Sequence, residues 1–388
     1  MVESLLFAFF AINTGYVCVL SLAGRYYAKR NAPVAPQYNR IAVLVPCYKE
    51  DAVILSTARQ LLQLDYPHDR VDVIIIADSL QPDTLEQLGT SGVTVLPVTL
   101  RKSMKSRSLN YALQSLPGPY DIAIIADADN VLARNFLQEV NNLYSAGYTV
   151  IQAQRVPKNR TTAMALLDGL SEGINNYLYR QGSNALGLSA ALSGSGMVFP
   201  YGLLKECLAG IDSPVEDKAL QQVLAEKGHH IHYQKDILVF DEKVESPEAY
   251  RKQRTRWIAG QYQMLRQNFF KGIKLLLRGN VNFFNIAILH NLLPSRINSL
   301  IALFILAPLF TMLYFNESAI VFRWWTITLL YVLALAHAAP KVFYSRKMLR
   351  SFSLLPVVVI RTLQAVALST ARNKGFIHTT HKQTEVEM

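Results

Sequence analysis

Residues 121–129 read Asp-Ile-Ala-Ile-Ile-Ala-Asp-Ala-Asp. A short, unbroken apolar run is followed at once by two carboxylates one residue apart. An apolar run of this length, bounded by polar residues, fits a strand buried on both faces. Outward from it the same pattern repeats. IAVLV (41–45), VDVIIIA (71–77), VTVLPV (93–98) and TVIQAQ (149–154) read as buried strands, and helical stretches fall at about 51–64, 106–115 and 133–146. Strand–helix alternation predicts an α/β fold with a mostly parallel, Rossmann-like sheet between helical layers. In such sheets ligands bind beyond the carboxyl ends of the strands.

The residues at those ends carry the chemistry. Asp127 and Asp129 can converge on one hard divalent cation, with diphosphate oxygens and water completing its shell; a solvated acidic turn is the plainer alternative. Asp78 ends the run 71–77, and Pro46-Cys47-Tyr48-Lys49-Glu50 follow 41–45. Lys105 opens a helix, where a cation suits phosphate, although a surface lysine would look the same. Gly194, Ser195 and Gly196 precede an apolar Met-Val-Phe; glycine there permits close backbone approach to a ligand, or an ordinary tight turn. Glu216 and Asp217 precede the helical run KALQQVLAEKG, where a carboxylate is either a helix cap or a base able to take a proton from an acceptor hydroxyl.

Ser246-Pro247-Glu248 is a helix start, with cap, proline and acid in the first turn. Gln253, Arg256 and Trp257 then stand at i, i+3 and i+4 and share one face. Arg suits a diphosphate and Trp a sugar ring; an amphipathic interfacial helix is the rival reading. His229, His230 and His232 are crowded, but on a strand His229 would point away from the other two, so no metal cluster is expected.

The ends of the chain are of another kind. Residues 5–24 form an uncharged run of spanning length, followed by Arg25, Lys29 and Arg30. The positive-inside rule puts the N-terminus outside and the rest at the cytoplasmic face. A cleaved signal peptide is the rival, weakened by the lack of a basic n-region and of an A-x-A site. Residues 297–315 and 324–340 are long enough to span, with Arg323 breaching the charge rule in the loop between them. Residues 351–371 read either as an in-plane interfacial helix or as a further span, because Arg361 sits mid-run between basic flanks; 282–293 is a second interfacial candidate. The expected division is 1–30 as an N-terminal transmembrane helix, 31–270 as the catalytic domain, and 271–388 as interfacial and transmembrane helices with a tail.

The bulk numbers agree. The 388 residues are 51% hydrophobic and 17% charged, with a net charge of +11. The basic residues cluster beside the apolar segments, as anchoring on an anionic leaflet requires, and no nucleic-acid module is read in the chain. Cys18, Cys47 and Cys207 are odd in number and lack a CxxC pair, which argues against a disulfide framework.

Asp78, Asp127-x-Asp129, Glu216-Asp217 and Gln253-x-x-Arg256-Trp257, in that order beside membrane helices, resemble the membrane-integrated family 2 glycosyltransferases, such as cellulose, hyaluronan and chitin-oligosaccharide synthases. The resemblance covers about residues 40–260. It implies a GT-A fold, a nucleotide-sugar donor (a UDP-sugar), Mg2+ or Mn2+, and inversion at the anomeric carbon. It implies that Asp78, Lys105 and Asp127 contact the nucleotide and that Asp129 holds the metal with Asp127. Asp217 is then the general base, Gln253, Arg256 and Trp257 close over the diphosphate, and Gly194, Ser195, Gly196, Glu216 and Trp257 border the acceptor. Val215 stands where the family often has Thr, and Ala77 where it often has an acid. Residues 375–382 loosely match a Phe-x-x-Thr-Pro-Lys segment of some members. The expected activity is extension of a polysaccharide at the cytoplasmic membrane face. Single transfer to a lipid or lipid-linked acceptor is the alternative, and a non-catalytic scaffold the third reading. An oligomer or accessory export subunits stay open.

Overall fold

The computed structural model describes residues 1–116 and 118–370; the 375–382 segment lies outside them. The chain enters through α1 (Val2–Gly24). It then builds β1 (Ile41–Tyr48), α2 (Asp51–Leu62), β2 (Val71–Asp78), α3 (Pro82–Gly89), β3 (Thr94–Val98), α4 (Lys105–Ser115) and β4 (Ile122–Ile125). Next come β5 (Val131–Leu132), α5 (Phe136–Ser145), β6 (Ile151–Pro157) and α6 (Ala163–Asn175), which continues through a π-helical stretch, Asn176–Gly182, into α7 (Ser183–Ala185). The globular part closes with β7 (Met197–Pro200), α8 (Tyr201–Leu208), α9 (Glu216–Glu226) and β8 (His232–Asp241).

The strands form one sheet in the order β3-β2-β1-β4-β7-β6-β8-β5. β3, β2, β1 and β4 run parallel; β7 is antiparallel to both β4 and β6, β8 is parallel to β6, and β5 is antiparallel to β8. This is a mixed, mostly parallel GT-A sheet. Its strands are continuous apolar runs because both faces are covered. Ile41, Val43 and Val45 enter one hydrophobic cluster, and Ala42 and Leu44 enter the other. Each fully buried Ile, Val or Leu contributes about 1.5–3 kcal/mol relative to exposure. The register sets Tyr48 beside Asp78 and Leu44 beside Ile125, so the carboxyl ends of β1, β2 and β4 lie level.

α10 (Pro247–Leu277) begins as expected, with Ser246 Oγ accepting from Ala249 N at 3.2 Å. The chain then runs through α11 (Val281–Phe284), a π-helical stretch and α12 (His290–Leu292), followed by α13 (Arg296–Leu313), α14 (Ser318–Ala338), α15 (Arg346–Ser351) and α16 (Leu355–Thr370). Among the described residues, four segments are long and apolar enough to cross a membrane: Val2–Gly24, Arg296–Leu313, Ser318–Ala338 and Arg346–Ser369. α1, α13 and α14 share a cluster centred on Trp324, Tyr331, Leu303, Phe310 and Leu20.

Residues 282–293 differ from the interfacial expectation. Phe283, Ile286 and Ala287 are buried with Ala225 of α9, so this apolar face packs on protein. α16 lies along α10. Val358 is buried with Met164, Val244 and Tyr250, and Arg361 pairs with Glu248 at 2.5 Å. Arg323, the expected breach of the charge rule, is paired with Glu3, whose other oxygen accepts from Trp324 Nε1 at 2.7 Å.

Candidate active site

The level strand ends open into a pocket of about 780 Å³. Two non-glycine residues there hold positive φ: Lys49 at 55° after β1 and Ser79 at 60° after β2. Such backbone is held against its preference and clusters at ligand sites. Asp78, 2% exposed, lines the pocket; its Oδ1 accepts from Ser79 Oγ at 2.9 Å, and among the described residues its Oδ2 has no hydrogen-bond partner.

Lys105 is the hub. Its Nζ lies 2.5 Å from Asp127 Oδ1, 2.6 Å from the Gly194 carbonyl and 3.2 Å from Glu216 Oε1. One ammonium thus ties together the ends of β4, the glycine turn before β7 and the start of α9. Burial works against the Lys105 charge, but Asp127, Glu216 and Asp217 overcome it and raise its pKa. Burial raises the Glu216 carboxyl, Asp217 and Asp127 add to this, and Lys105 opposes it. Asp217 opens α9, with Oδ1 accepting from Lys218 N at 2.8 Å. A Cβ on Gly194, whose φ is +83°, would lie 3.9 Å from Asp217 Oδ2 and 3.7 Å from Lys105 Nζ. The glycine leaves that space open.

Asp129 is buried and lines the same wall as Asp127. Gln253, Arg256 and Trp257 line the opposite side from α10, and among the described residues the side-chain oxygen Oε1 of Gln253 has no partner. The widely spaced motifs therefore meet in one cavity. Ser195 and Gly196 do not reach it. Ser195 is fully buried and its Oγ accepts from Asp127 N at 3.1 Å, so it holds the DxD backbone from behind. Gly196 is pressed on β8, where a Cβ would come within 2.5 Å of Val239 Cγ2. His230 and His232 lie with ring centroids 4.6 Å apart and ring planes tilted by 60°, and burial pushes the His232 pKa down to about 4.

Several pocket residues carry no sequence motif. Arg155 is paired with Asp241, which also holds Lys243 at 2.7 Å, and donates to the Ser193 carbonyl at 2.5 Å. Arg180 meets Glu172 at 2.8 Å. Arg254 bonds Asp168 at 2.9 Å and lies 4.6 Å from the Trp257 ring and 4.8 Å from the Tyr250 ring, which fixes the tryptophan by cation–π contact. Only Arg254 stands beside a motif, between Gln253 and Arg256 on one helix; the others are single charges without pattern.

Among known proteins, the sequence profile described as Glycosyltransferase like family 2 matches residues 36–260. The chain is 25% identical over 249 residues to the Bacillus subtilis protein named Probable glycosyltransferase YdaM, covering 60% of this chain and 58% of that one. It is 27% identical over 238 residues to beta-monoglucosyldiacylglycerol synthase of Trichormus variabilis, covering 58% and 49%. The chain thus spans about half the length of these curated relatives. Cellulose synthase 1 of Komagataeibacter xylinus matches at 28% over 107 residues, 27% of this chain and 7% of that protein. Among solved structures, the mannosyltransferase PcManGT from Pyrobaculum calidifontis, in complex with GDP-Man and Mn2+, superposes with a TM-score of 0.54 at 19% identity. It covers 89% of this chain and all of that one, and it shares the GT-A architecture. With the profile running through more than half of the sequence and the fold in agreement, the chain belongs to the family 2 glycosyltransferases.

Proposed function

We propose that the protein transfers a sugar, with inversion, from a nucleotide-sugar donor (a UDP-sugar) to a hydroxyl on an acceptor presented at the cytoplasmic membrane face. The observation that carries this reading is the convergence of Asp127, Glu216 and Gly194 on Lys105, with Asp217 beside Gly194. Asp217 takes the proton from the acceptor hydroxyl. That oxygen forms its bond to the anomeric carbon as the bond to the diphosphate breaks, and the nucleoside diphosphate leaves on the opposite side. Asp78 receives the nucleotide, Lys105, Gln253 and Arg256 bind the diphosphate, and Trp257 covers the sugar and the acceptor end.

The donor set suits Mg2+ or Mn2+. Asp127 and Asp129 offer hard oxygens on one wall, and among the described residues no group of three or more His, Cys, Asp or Glu is gathered. The rest of a coordination shell then falls to diphosphate and water. A bound cation would supply charge neutralisation at the leaving diphosphate.

The membrane reading rests on the four apolar segments and their basic flanks. The acceptor reading rests on where the pocket stops. It takes lining from α13 only at Arg296 and Ile297, and from α16 only at Thr362. Trp324 and Tyr331 fill the centre of the α1–α13–α14 bundle. That favours an acceptor carried by the membrane lipid over a polymer threaded through the bundle. The Gln253–Trp257 helix favours the polysaccharide alternative, and product mass separates the two: one added sugar against a ladder.

The decisive experiment presents a panel of nucleotide sugars with Mg2+ or Mn2+ to the full chain in lipid and scores nucleotide release and product mass. Asp217→Asn should lower turnover by about 100- to 10,000-fold while donor binding persists. Unchanged turnover in that variant removes the base assignment.

A further inference from the structure

The pocket has a second arm. Away from the strand ends it reaches the junction of α9, α10, α12 and the first turn of α13, lined there by Lys218, Gln261, Leu289, His290, Leu293 and Arg296. In the main chamber five cations have anionic partners: Lys105 with Asp127, Arg155 and Lys243 with Asp241, Arg180 with Glu172, and Arg254 with Asp168. Among the described residues, Arg296 and Lys218 in the arm form no ion pair. Arg296 is 8% exposed, and among the described residues its side chain donates only from Nη2, to the Ser171 carbonyl at 2.8 Å and to Ser171 Oγ at 3.2 Å. Among the described residues Nε and Nη1 are unengaged and no ion pair forms. Lys218 makes no side-chain hydrogen bond or ion pair among the described residues; burial lowers its pKa, the adjacent Asp217 opposes this, and Arg180 adds to the lowering.

A guanidinium is costly to bury without a counter-charge. Its fork matches the paired oxygens of a phosphate. His290 adds no charge, because burial and Lys218 push its pKa down to about 3. The arm is therefore cationic at Arg296 and Lys218 and apolar at Leu289 and Leu293. Arg296 opens a segment long enough to cross a bilayer, which sets it at headgroup depth. Lys218 follows the proposed base directly.

We infer that this arm receives a phosphate-bearing lipid headgroup, with Arg296 and Lys218 as its counter-ions, so that the acceptor is an anionic lipid and not a neutral one. The inference rests on the reading of a membrane-borne acceptor and narrows its chemistry.

The test compares two short-chain lipids that share tails and hydroxyl chemistry but differ in charge, dihexanoylphosphatidylglycerol and dihexanoylglycerol. Each is titrated at low salt into the full chain in neutral detergent, and UDP is titrated separately. The expected result is binding of the phosphate lipid at least tenfold tighter than the neutral one. Arg296→Gln and Lys218→Met should each cut that preference to below threefold, with Arg296→Lys in between and UDP affinity within twofold of the unaltered chain. Lys218→Met keeps the test open should the arginine variant fail to fold. Equal binding of the two lipids overturns the inference, as does a preference that survives both variants. A parallel loss of UDP affinity in Arg296→Gln overturns it too, because the arm would then belong to the donor. Inorganic phosphate competing as well as the phosphate lipid would assign the site to a free anion and also overturn it. If the charge preference holds but no sugar reaches any lipid, the anion site stands and the proposed transfer falls.

Discussion

Glu172 illustrates how single charges shape the site. Burial alone would raise its carboxyl, but Arg180, Lys243 and Arg155 together hold it well below the usual carboxylate range. A carboxyl depressed in the folded state contributes stability that is present above its unfolded value, 4.5, and lost as pH falls toward the folded value. The unfolding temperature of the full chain in detergent should therefore drop as pH is lowered through 4.5. Glu172→Gln should be less stable near neutrality and should flatten that part of the dependence. A variant with an unchanged acid profile would show that the Glu172 network does not set it. Such residues left no mark in the sequence. Glu172 and Arg180 belong to no motif, and only the chain crossings of α6, β6 and β8 bring them beside Arg155, Asp241 and Lys243. Asp127 and Asp129 were legible because one residue of separation at a strand end already constrains where both carboxylates go.

Among the elements, α10 carries the most consequence. Its start was readable from Ser246-Pro247-Glu248, since a cap and a first-turn proline act locally. What it presses on was not readable. A Cβ on Gly260 would come 2.7 Å from Val215 Cγ1 and 2.9 Å from Cγ2, so the helix rests against the residue just before Glu216 and Asp217. Gly260→Ala should overpack this contact at a cost of about 1–3 kcal/mol and lower turnover by shifting the acids. Adding Val215→Ala should recover much of both losses, read as unfolding temperature and turnover in a double-mutant cycle. Additive losses would mean that the two residues do not communicate. Farther along α10, Phe270 and Leu277 are each 83% exposed beside Lys271, Lys274 and Arg278. That stripe suits an anionic membrane surface. Phe270→Glu with Leu277→Glu should reduce partition of the solubilised chain into anionic vesicles by roughly tenfold or more in a flotation assay; equal partition would leave the stripe without that role. The 282–293 segment shows the limit of such arguments from composition. Its apolar residues look alike whether they meet lipid or protein, and here they meet Ala225 and Leu275.

At the scale of the whole molecule, the N-terminal helix α1 closes on α14. Glu3, in the first turn of α1, accepts from Trp324 Nε1 at 2.7 Å and pairs with Arg323 at the start of α14. Glu3→Gln should cost about 1–3 kcal/mol by leaving Arg323 without its counter-charge, measured as a lower unfolding temperature. Glu3→Gln with Arg323→Gln should recover part of it. An unchanged unfolding temperature in the single variant would remove the clasp from the forces holding the bundle. The sequence by itself determined the sheet, the apolar segments and the ordered acids, because periodicity, apolar run length and strand-end position act over a few residues. Only the tertiary structure decided that Ser195 and Gly196 stand behind the pocket wall, that Lys105 joins three segments, that Arg323 is neutralised, and that Arg296 forms no ion pair among the described residues. Each of these depends on contacts between residues tens to hundreds of positions apart, which follow from how the strands are ordered and how the helices pack, and local pattern carries no record of either.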